Sequence, residues 1–135
     1  MLVVHLADRR FGLPLADVER VMPMAYVLPL PESSHNLMGV LNLHGEILPV
    51  VDPRPRLALP TPTITPEHRL VLMTGILRFL LWVDAIEEVV PGADALSTLP
   101  AQQTNPLVAR VMRLGDTIVP VLAPSALAPR SGVIR

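Results

Sequence analysis

The chain has 135 residues, of which 50% are hydrophobic and 17% are charged, and its formal net charge is −1. This length allows one compact core or two small lobes that share one, and the composition excludes a disordered chain. The low net charge gives no electrostatic reason to expect nucleic acid or an anionic membrane as a partner. All eleven basic residues are Arg and there is no Cys, so disulfide and thiolate chemistry are excluded.

The apolar segments are too short to cross a membrane. The longest covers residues 70–83 and is interrupted by Gly75 and Arg78, whereas a membrane-spanning helix needs about twenty apolar residues. The N-terminal stretch MLVVHLADRR lacks the basic lead and the long apolar run of a signal peptide. We therefore expect a cytoplasmic protein without direct membrane insertion.

Short apolar segments separated by turn residues follow one another along the whole chain. Sixteen Pro residues are scattered among them, which long helices do not tolerate. Short strands at this spacing with tight turns are typical of an all-β barrel or sandwich. The predicted strands cover residues 2–6, 11–15, 19–22, 40–43, 47–51, 70–73, 77–83, 86–90, 108–112 and 118–122.

Two parts of the chain resemble each other. FGLPLADVERVMP (11–23) aligns without a gap with FLLWVDAIEEVVP (79–91), at an offset of 68 residues. HGEILPVV (44–51) also aligns with LGDTIVPVL (114–122) after small shifts. Apolar alternation alone does not explain identical Phe, Glu and Pro residues, so the sequence indicates an internal duplication. The identical pairs are Phe11/Phe79, Leu13/Leu81, Glu19/Glu87, Val21/Val89 and Pro23/Pro91.

A Pro-rich segment at about residues 53–66 separates the two similar parts. It reads PRPRLALPTPTITP, and such stretches favour extended, stiff conformations. We therefore predict a connector between two lobes.

The segment GVLNLHGEILPVVD (39–52) predicts a β-hairpin. Gly45 supplies the positive φ that a tight turn after His44 requires. Pro49 has no N–H for a β-ladder, which predicts an edge strand or a bulge. Such an edge resists aggregation and still accepts a partner.

The sequence offers no pattern of catalytic or metal-binding residues. The four His residues lack metal-ligand spacing, and the phosphate-binding, dinucleotide-binding and hydrolase motifs are missing. Glu87 and Glu88 are adjacent on a predicted strand, so they point to opposite faces and cannot share a proton. Trp82 lies in an apolar run and is predicted to be a core residue. By elimination we expect a binding protein that is not an enzyme and uses no cofactor.

The segments FGLPLADVERVM, GVLNLHGEILPVVD and LLWVDAIEEVV together resemble the CheW-like domain of bacterial chemotaxis coupling proteins and their histidine kinases. The resemblance covers about residues 2–127. Its core motif, Gly-(Val/Ile)-x-Asn-(Leu/Ile)-Arg-Gly followed by apolar residues, Pro and Asp, is matched across residues 39–52 except that His44 stands where the family has Arg. A second signature of the family, VD-x-(Val/Ile)-x-E-V, is matched at residues 83–89.

The resemblance implies an all-β fold of two small five-stranded β-barrel subdomains packed around a shared hydrophobic core. We expect a single domain over residues 1–135. Its first subdomain covers about residues 11–56 with exchange of a terminal strand, and its second covers about 67–127.

The resemblance also implies a non-catalytic adaptor that couples the cytoplasmic tips of methyl-accepting chemoreceptors to the regulatory domain of a CheA-type histidine kinase, at membrane-associated receptor arrays. In the family the first barrel meets the kinase and a groove between the barrels meets the receptor. Two alternatives stay open. The domain regulates another motility or signalling system, or it occupies the kinase without coupling receptors.

The partner-binding residues carried over from the family are Glu19, Gly39, Val40, Asn42 and His44. Each has a structural alternative: Gly39 serves backbone conformation, Val40 belongs to the core, and Asn42 caps a turn. Glu19 and His44 have the least structural reason to be polar. His44 replaces a permanent charge, and it still donates one hydrogen bond or gains charge at lower pH.

Overall fold

The computed structural model describes residues 1–30, 36–75, 77–91, 96–98, 105–108 and 110–129, and they form an all-β protein. All ten predicted strands are observed, with ends that shift by at most three residues. Within the described residues there are twelve strands, one short α-helix and two 3-10 helices, at Leu15–Asp17 and Arg54–Leu57. The strands are β1 (Leu2–Leu6), β2 (Arg9–Leu13), β3 (Val18–Pro23), β4 (Leu28–Pro29), β5 (Leu37–Leu43), β6 (Glu46–Val51), β7 (Arg69–Met73), β8 (Phe79–Val83), β9 (Ala85–Val89), β10 (Leu96–Thr98), β11 (Arg110–Leu114) and β12 (Thr117–Val121), followed by α1 (Pro124–Leu127).

The strands form two six-stranded mixed sheets with the same order. Sheet I runs β3-β7-β8-β6-β5-β4 and sheet II runs β9-β1-β2-β12-β11-β10. Each strand of sheet I has its counterpart from the other half of the chain at the same place in sheet II. The parallel contact also matches: Val50 lies opposite Leu80 in sheet I, and Val121 lies opposite Gly12 in sheet II. The predicted duplication is therefore visible in the topology and in the register.

The two halves of the chain exchange a hairpin. The β1–β2 hairpin of the first half pairs with β9 and β12, and the β7–β8 hairpin of the second half pairs with β3 and β6. Each sheet thus contains strands from both halves of the chain. The subdomain boundaries at residues 56 and 67 stay a prediction.

The hydrophobic core lies between the sheets and is shared by them. Most of its buried side chains come from β1 and β2 of sheet II and from β6, β7 and β8 of sheet I, and Leu107, Leu122 and Leu127 complete it. Strand β8 is buried along its whole length. Phe79, Leu81 and Val83 face this core, and because side chains alternate along a strand, Leu80 and Trp82 pack in a second cluster. Trp82 is 2% exposed, which confirms that it is a core residue.

Three two-residue turns close the hairpins β1–β2, β5–β6 and β11–β12. At the second turn both residues have positive φ, 51° at His44 and 92° at Gly45, as a type I′ turn requires. The predicted hairpin and the role of Gly45 are confirmed.

Pro49 does not lie on an edge strand, because β6 is inside sheet I. The prediction of an edge position was wrong. The pairing of β6 with β8 begins only at Val50, so at Pro49 the strand has one paired neighbour, β5. A Pro is tolerated there because its missing N–H falls outside the β6–β8 ladder.

None of the helices in the described ranges is long and apolar enough to span a lipid bilayer.

Candidate protein-interaction surface

Arg78 links Glu19 to the hairpin that carries two further predicted partner-binding residues. Its guanidinium, in the loop before β8, donates from Nη2 to both carboxylate oxygens of Glu19, at 3.1 and 3.0 Å. From Nη1 it also donates to Glu46, which pairs with Leu43 across the hairpin turn that holds His44. Arg78 therefore links strand β3 to the tip of the β5–β6 hairpin, across the end of the β7–β8 hairpin that lies between them in sheet I. We call this surface, made of Glu19, Asn42, His44, Glu46 and Arg78, the hairpin face.

The hairpin face is charged and open to solvent. Hydrogen bonds to Glu46 and then to Glu19 raise the pKa of Arg78 above its ordinary value, so the guanidinium stays cationic between the two carboxylates. The side chains of Arg78, Glu19 and Glu46 are 34%, 42% and 47% exposed. Ion pairs this exposed contribute little to stability, which leaves them available to a partner.

Asn42 and His44 shape the tip of the hairpin. The Asn42 Oδ1 accepts a hydrogen bond from the Gly45 N–H at 2.8 Å, so this side chain caps the turn. His44 is exposed in the left-handed region, where His is among the tolerated side chains.

Gly39 and Val40 lie in the part of β5 that pairs with strand β4, and not on the hairpin face. A Cβ at Gly39 would come within 2.1 Å of the Leu28 carbonyl oxygen, so glycine is needed for β4 to pair with β5. Val40 is 8% exposed and lies between Leu28 and Pro49 in the register. Both residues therefore help to pair the hairpin with β4.

Exposed apolar side chains adjoin the hairpin face and were not predicted as site residues. Val21 follows Glu19 by two positions on β3 and is 40% exposed. Ile47, next to Glu46, is 52% exposed. Apolar side chains beside a polar rim are typical of protein interfaces. The internal repeat of the sequence pointed to these positions. Val21 and Ile47 align with Val89 and Ile118, and all four side chains are exposed in the structure.

A buried ion network lies behind these strands. Arg54 is 0% exposed, donates to Asp52 Oδ1 at 2.9 Å and to Asp84, and stacks over the Trp82 ring at 4.2 Å from its centroid. The Trp82 Nε1–H in turn donates to His68 Nδ1 at 3.0 Å. Asp52 and Asp84 are the two Asp residues of the family signatures, and here they anchor the Pro-rich connector to both sheets.

The duplicated all-β fold and its exposed, mixed apolar and charged strand surface define a protein-interaction domain. The model of the CheW-like domain family matches residues 1–131. The chain belongs to the CheW-like domain family, and the resemblance seen in the sequence is confirmed.

Relatives and a solved structure agree with this family. The chain is 25% identical over 95 residues to "Chemotaxis protein CheW" of Rhizobium meliloti (strain 1021), covering 70% of this chain and 61% of that protein. It is 29% identical over 73 residues to "Chemotaxis protein CheW" of Bacillus subtilis (strain 168), covering 54% and 47%. The matched region thus spans about half to three-fifths of these relatives.

The crystal structure of scaffolding protein TtCheW from Thermoanaerobacter tengcongensis superposes with a TM-score of 0.82 at 25% identity, covering 90% of this chain and 86% of that one. The chain therefore shares the fold of this scaffolding protein.

Proposed function

We propose that this domain is a non-catalytic adaptor of bacterial chemosensory signalling that couples chemoreceptors to a CheA-type histidine kinase. Family membership over residues 1–131 and the chemotaxis names of its relatives support this. The observation that carries the proposal is the hairpin face, where Glu19 and the hairpin tip are joined by Arg78.

The regulatory domain of the kinase is the proposed partner of the hairpin face. Glu19 and His44 contact it directly, since their side chains are exposed and Arg78 links the two elements that carry them. Asn42 keeps the turn in shape, while Gly39 and Val40 fix the strand beneath. The cytoplasmic tip of a chemoreceptor is the proposed second partner, which places the protein in the cytoplasm at receptor arrays.

A divergent role is the second candidate. One observation favours it: His44 stands where the family has Arg, and Arg78, from another loop, makes the ion pairs of this surface. A partner matched to this arrangement would belong to another motility or signalling system, or would be a kinase that the domain occupies without coupling receptors.

A pull-down of the regulatory domain of the CheA-type kinase from the same genome tests the proposal. Retention by the wild-type chain and loss with Glu19→Gln would support it, and Glu67→Gln, at an exposed carboxylate just after the connector, serves as the matched control. Folded protein that retains no kinase domain at tens of micromolar would refute kinase binding. A parallel pull-down of the receptor tip distinguishes the two candidate functions. A coupling adaptor retains the receptor tip as well as the kinase domain, whereas a domain that only occupies the kinase retains the kinase domain alone.

A further inference from the structure

The duplication places a second ion pair on sheet II, at the position equivalent to the hairpin face. Arg10 corresponds to Arg78 and Glu87 to Glu19, each at the offset of 68 residues. Arg10 donates to Glu87 from Nε at 3.0 Å and from Nη2 at 2.7 Å. Both Arg residues thus hold the Glu of the opposite half of the chain.

Each Arg–Glu pair has a third residue beside it, and this residue differs between the two sheets. Glu46 is the first residue of β6 after its turn, and Thr117 is the first residue of β12 after the equivalent turn. The Nη1 group of Arg78 donates to the Glu46 carboxylate, whereas the Nη1 group of Arg10 reaches only the Thr117 hydroxyl, at 3.4 Å. At this position sheet I has the carboxylate of Glu46, and sheet II has the hydroxyl of Thr117 instead.

A cleft of about 380 Å³ opens beside this position, between β2 and β12. The two strands pair only at Gly12 and Val121, so they diverge on the side towards Arg10. The cleft is lined by Arg9, Arg10, Phe11, Thr117, Ile118, Val119 and Pro120. Arg10 and an apolar lining therefore surround one opening.

We propose that this cleft binds an extended acidic segment of a partner protein, with a Glu or Asp carboxylate of that segment at the place that Glu46 fills in sheet I. Charge-assisted hydrogen bonds from Arg to a carboxylate are stronger than the contact that Arg10 now makes with a hydroxyl.

The surroundings of the cleft favour a peptide over a small anion. Ile118, which lines the cleft, is 62% exposed. An extended segment that alternates acidic and apolar residues presents both chemistries along its length. The proposal concerns sheet II and does not depend on kinase binding by the hairpin face.

The test uses a fluorescein-labelled peptide, Ser-Val-Glu-Val-Glu-Val-Ser, and a control peptide with Gln in place of both Glu residues. Fluorescence anisotropy with the full chain should show binding of the Glu peptide that is about tenfold or more tighter than that of the Gln peptide, the scale of one charge-assisted hydrogen bond. Equal binding of the two peptides, or no binding at 1 mM protein, would overturn the proposal.

Two variants locate the site. Thr117→Glu copies the arrangement of sheet I. Its own carboxylate should take the position proposed for the peptide carboxylate and weaken peptide binding about tenfold. Thr117→Val leaves the cleft open and should bind the peptide like the wild type. Circular dichroism verifies that both are folded. A Thr117→Glu variant that binds as tightly as the wild type would overturn the proposal. Dimerisation of the wild type that Thr117→Glu abolishes would assign the cleft to a second copy of this chain instead.

Discussion

The guanidinium of Arg78 donates hydrogen bonds to both carboxylate oxygens of Glu19, at 3.1 and 3.0 Å, across 59 residues of sequence. This pair joins the exchanged β7–β8 hairpin to the edge strand β3. It also fixes the direction of the one acidic side chain that the sequence singled out on that strand. Because the pair is exposed, its main effect is to order a binding surface.

Glu19→Gln should weaken kinase binding while changing the free energy of unfolding by less than about 1 kcal/mol, the range measured for exposed ion pairs. Urea denaturation gives the stability and calorimetric titration with the kinase regulatory domain gives the affinity. Arg78→Gln should act in the same direction. A loss of stability well above 1 kcal/mol would show that the pair is structural instead.

His44→Arg restores the residue type of the family at the hairpin tip. The variant should fold, because the exposed turn has room for a longer side chain, and it should bind the kinase or the receptor more tightly through the added charge and donors. Titration of the same partner with wild type and variant measures this. A weaker complex would mean that the position has been re-specialised for a different partner.

Gly39→Ala should destabilise the protein by about 1–3 kcal/mol, because the new Cβ meets the Leu28 carbonyl oxygen at 2.1 Å and β4 must move away. Gly12→Ala is the matched control: its Cβ first meets the flexible Met1 side chain, at 3.1 Å, and should cost less than about 1 kcal/mol. Thermal unfolding of both variants compares them. Equal losses would contradict the close approach of β4 to β5.

Arg54→Met should cost about 3–5 kcal/mol, because it leaves the carboxylate of Asp52, 4% exposed, without its cation. Adding Asp52→Asn should recover part of the loss, since the uncompensated charge is then removed. Urea denaturation of the single and double variants measures both steps. A single variant within about 1 kcal/mol of wild type would show that Arg54 does not anchor the connector.

The pKa of Glu87 lies below its ordinary value of 4.5, chiefly because Arg10 and then His5 donate hydrogen bonds to its carboxylate. A lowered folded-state pKa contributes stability that is present above the unfolded value and is lost as the pH falls through the folded value. Wild type should therefore be more stable than Glu87→Gln at pH 7, and the difference should shrink in acid below pH 4.5. Denaturation at several pH values checks this, with Glu67→Gln as control. A difference that does not change with pH would contradict the ion pair.

The strand pattern, the duplication and the family could be predicted from the sequence because apolar alternation and turn residues are local signals. Strands β4 and β10 were missed, since segments of two and three residues have no detectable period. The burial of Arg54 could not be predicted, because a basic residue between prolines indicates solvent exposure and its two carboxylate partners meet it only in the folded chain. For the same reason Arg78 was read as an interruption of an apolar run and not as the link between Glu19 and the hairpin.

The hairpin face as a partner-binding surface is tested most directly by amide chemical-shift mapping of the labelled chain with the unlabelled regulatory domain of the CheA-type kinase. Perturbations should concentrate on β3 and residues 42–47, including Glu19 and His44, and should disappear with Glu19→Gln. Perturbations confined to sheet II, or none at tens of micromolar kinase domain, would contradict it.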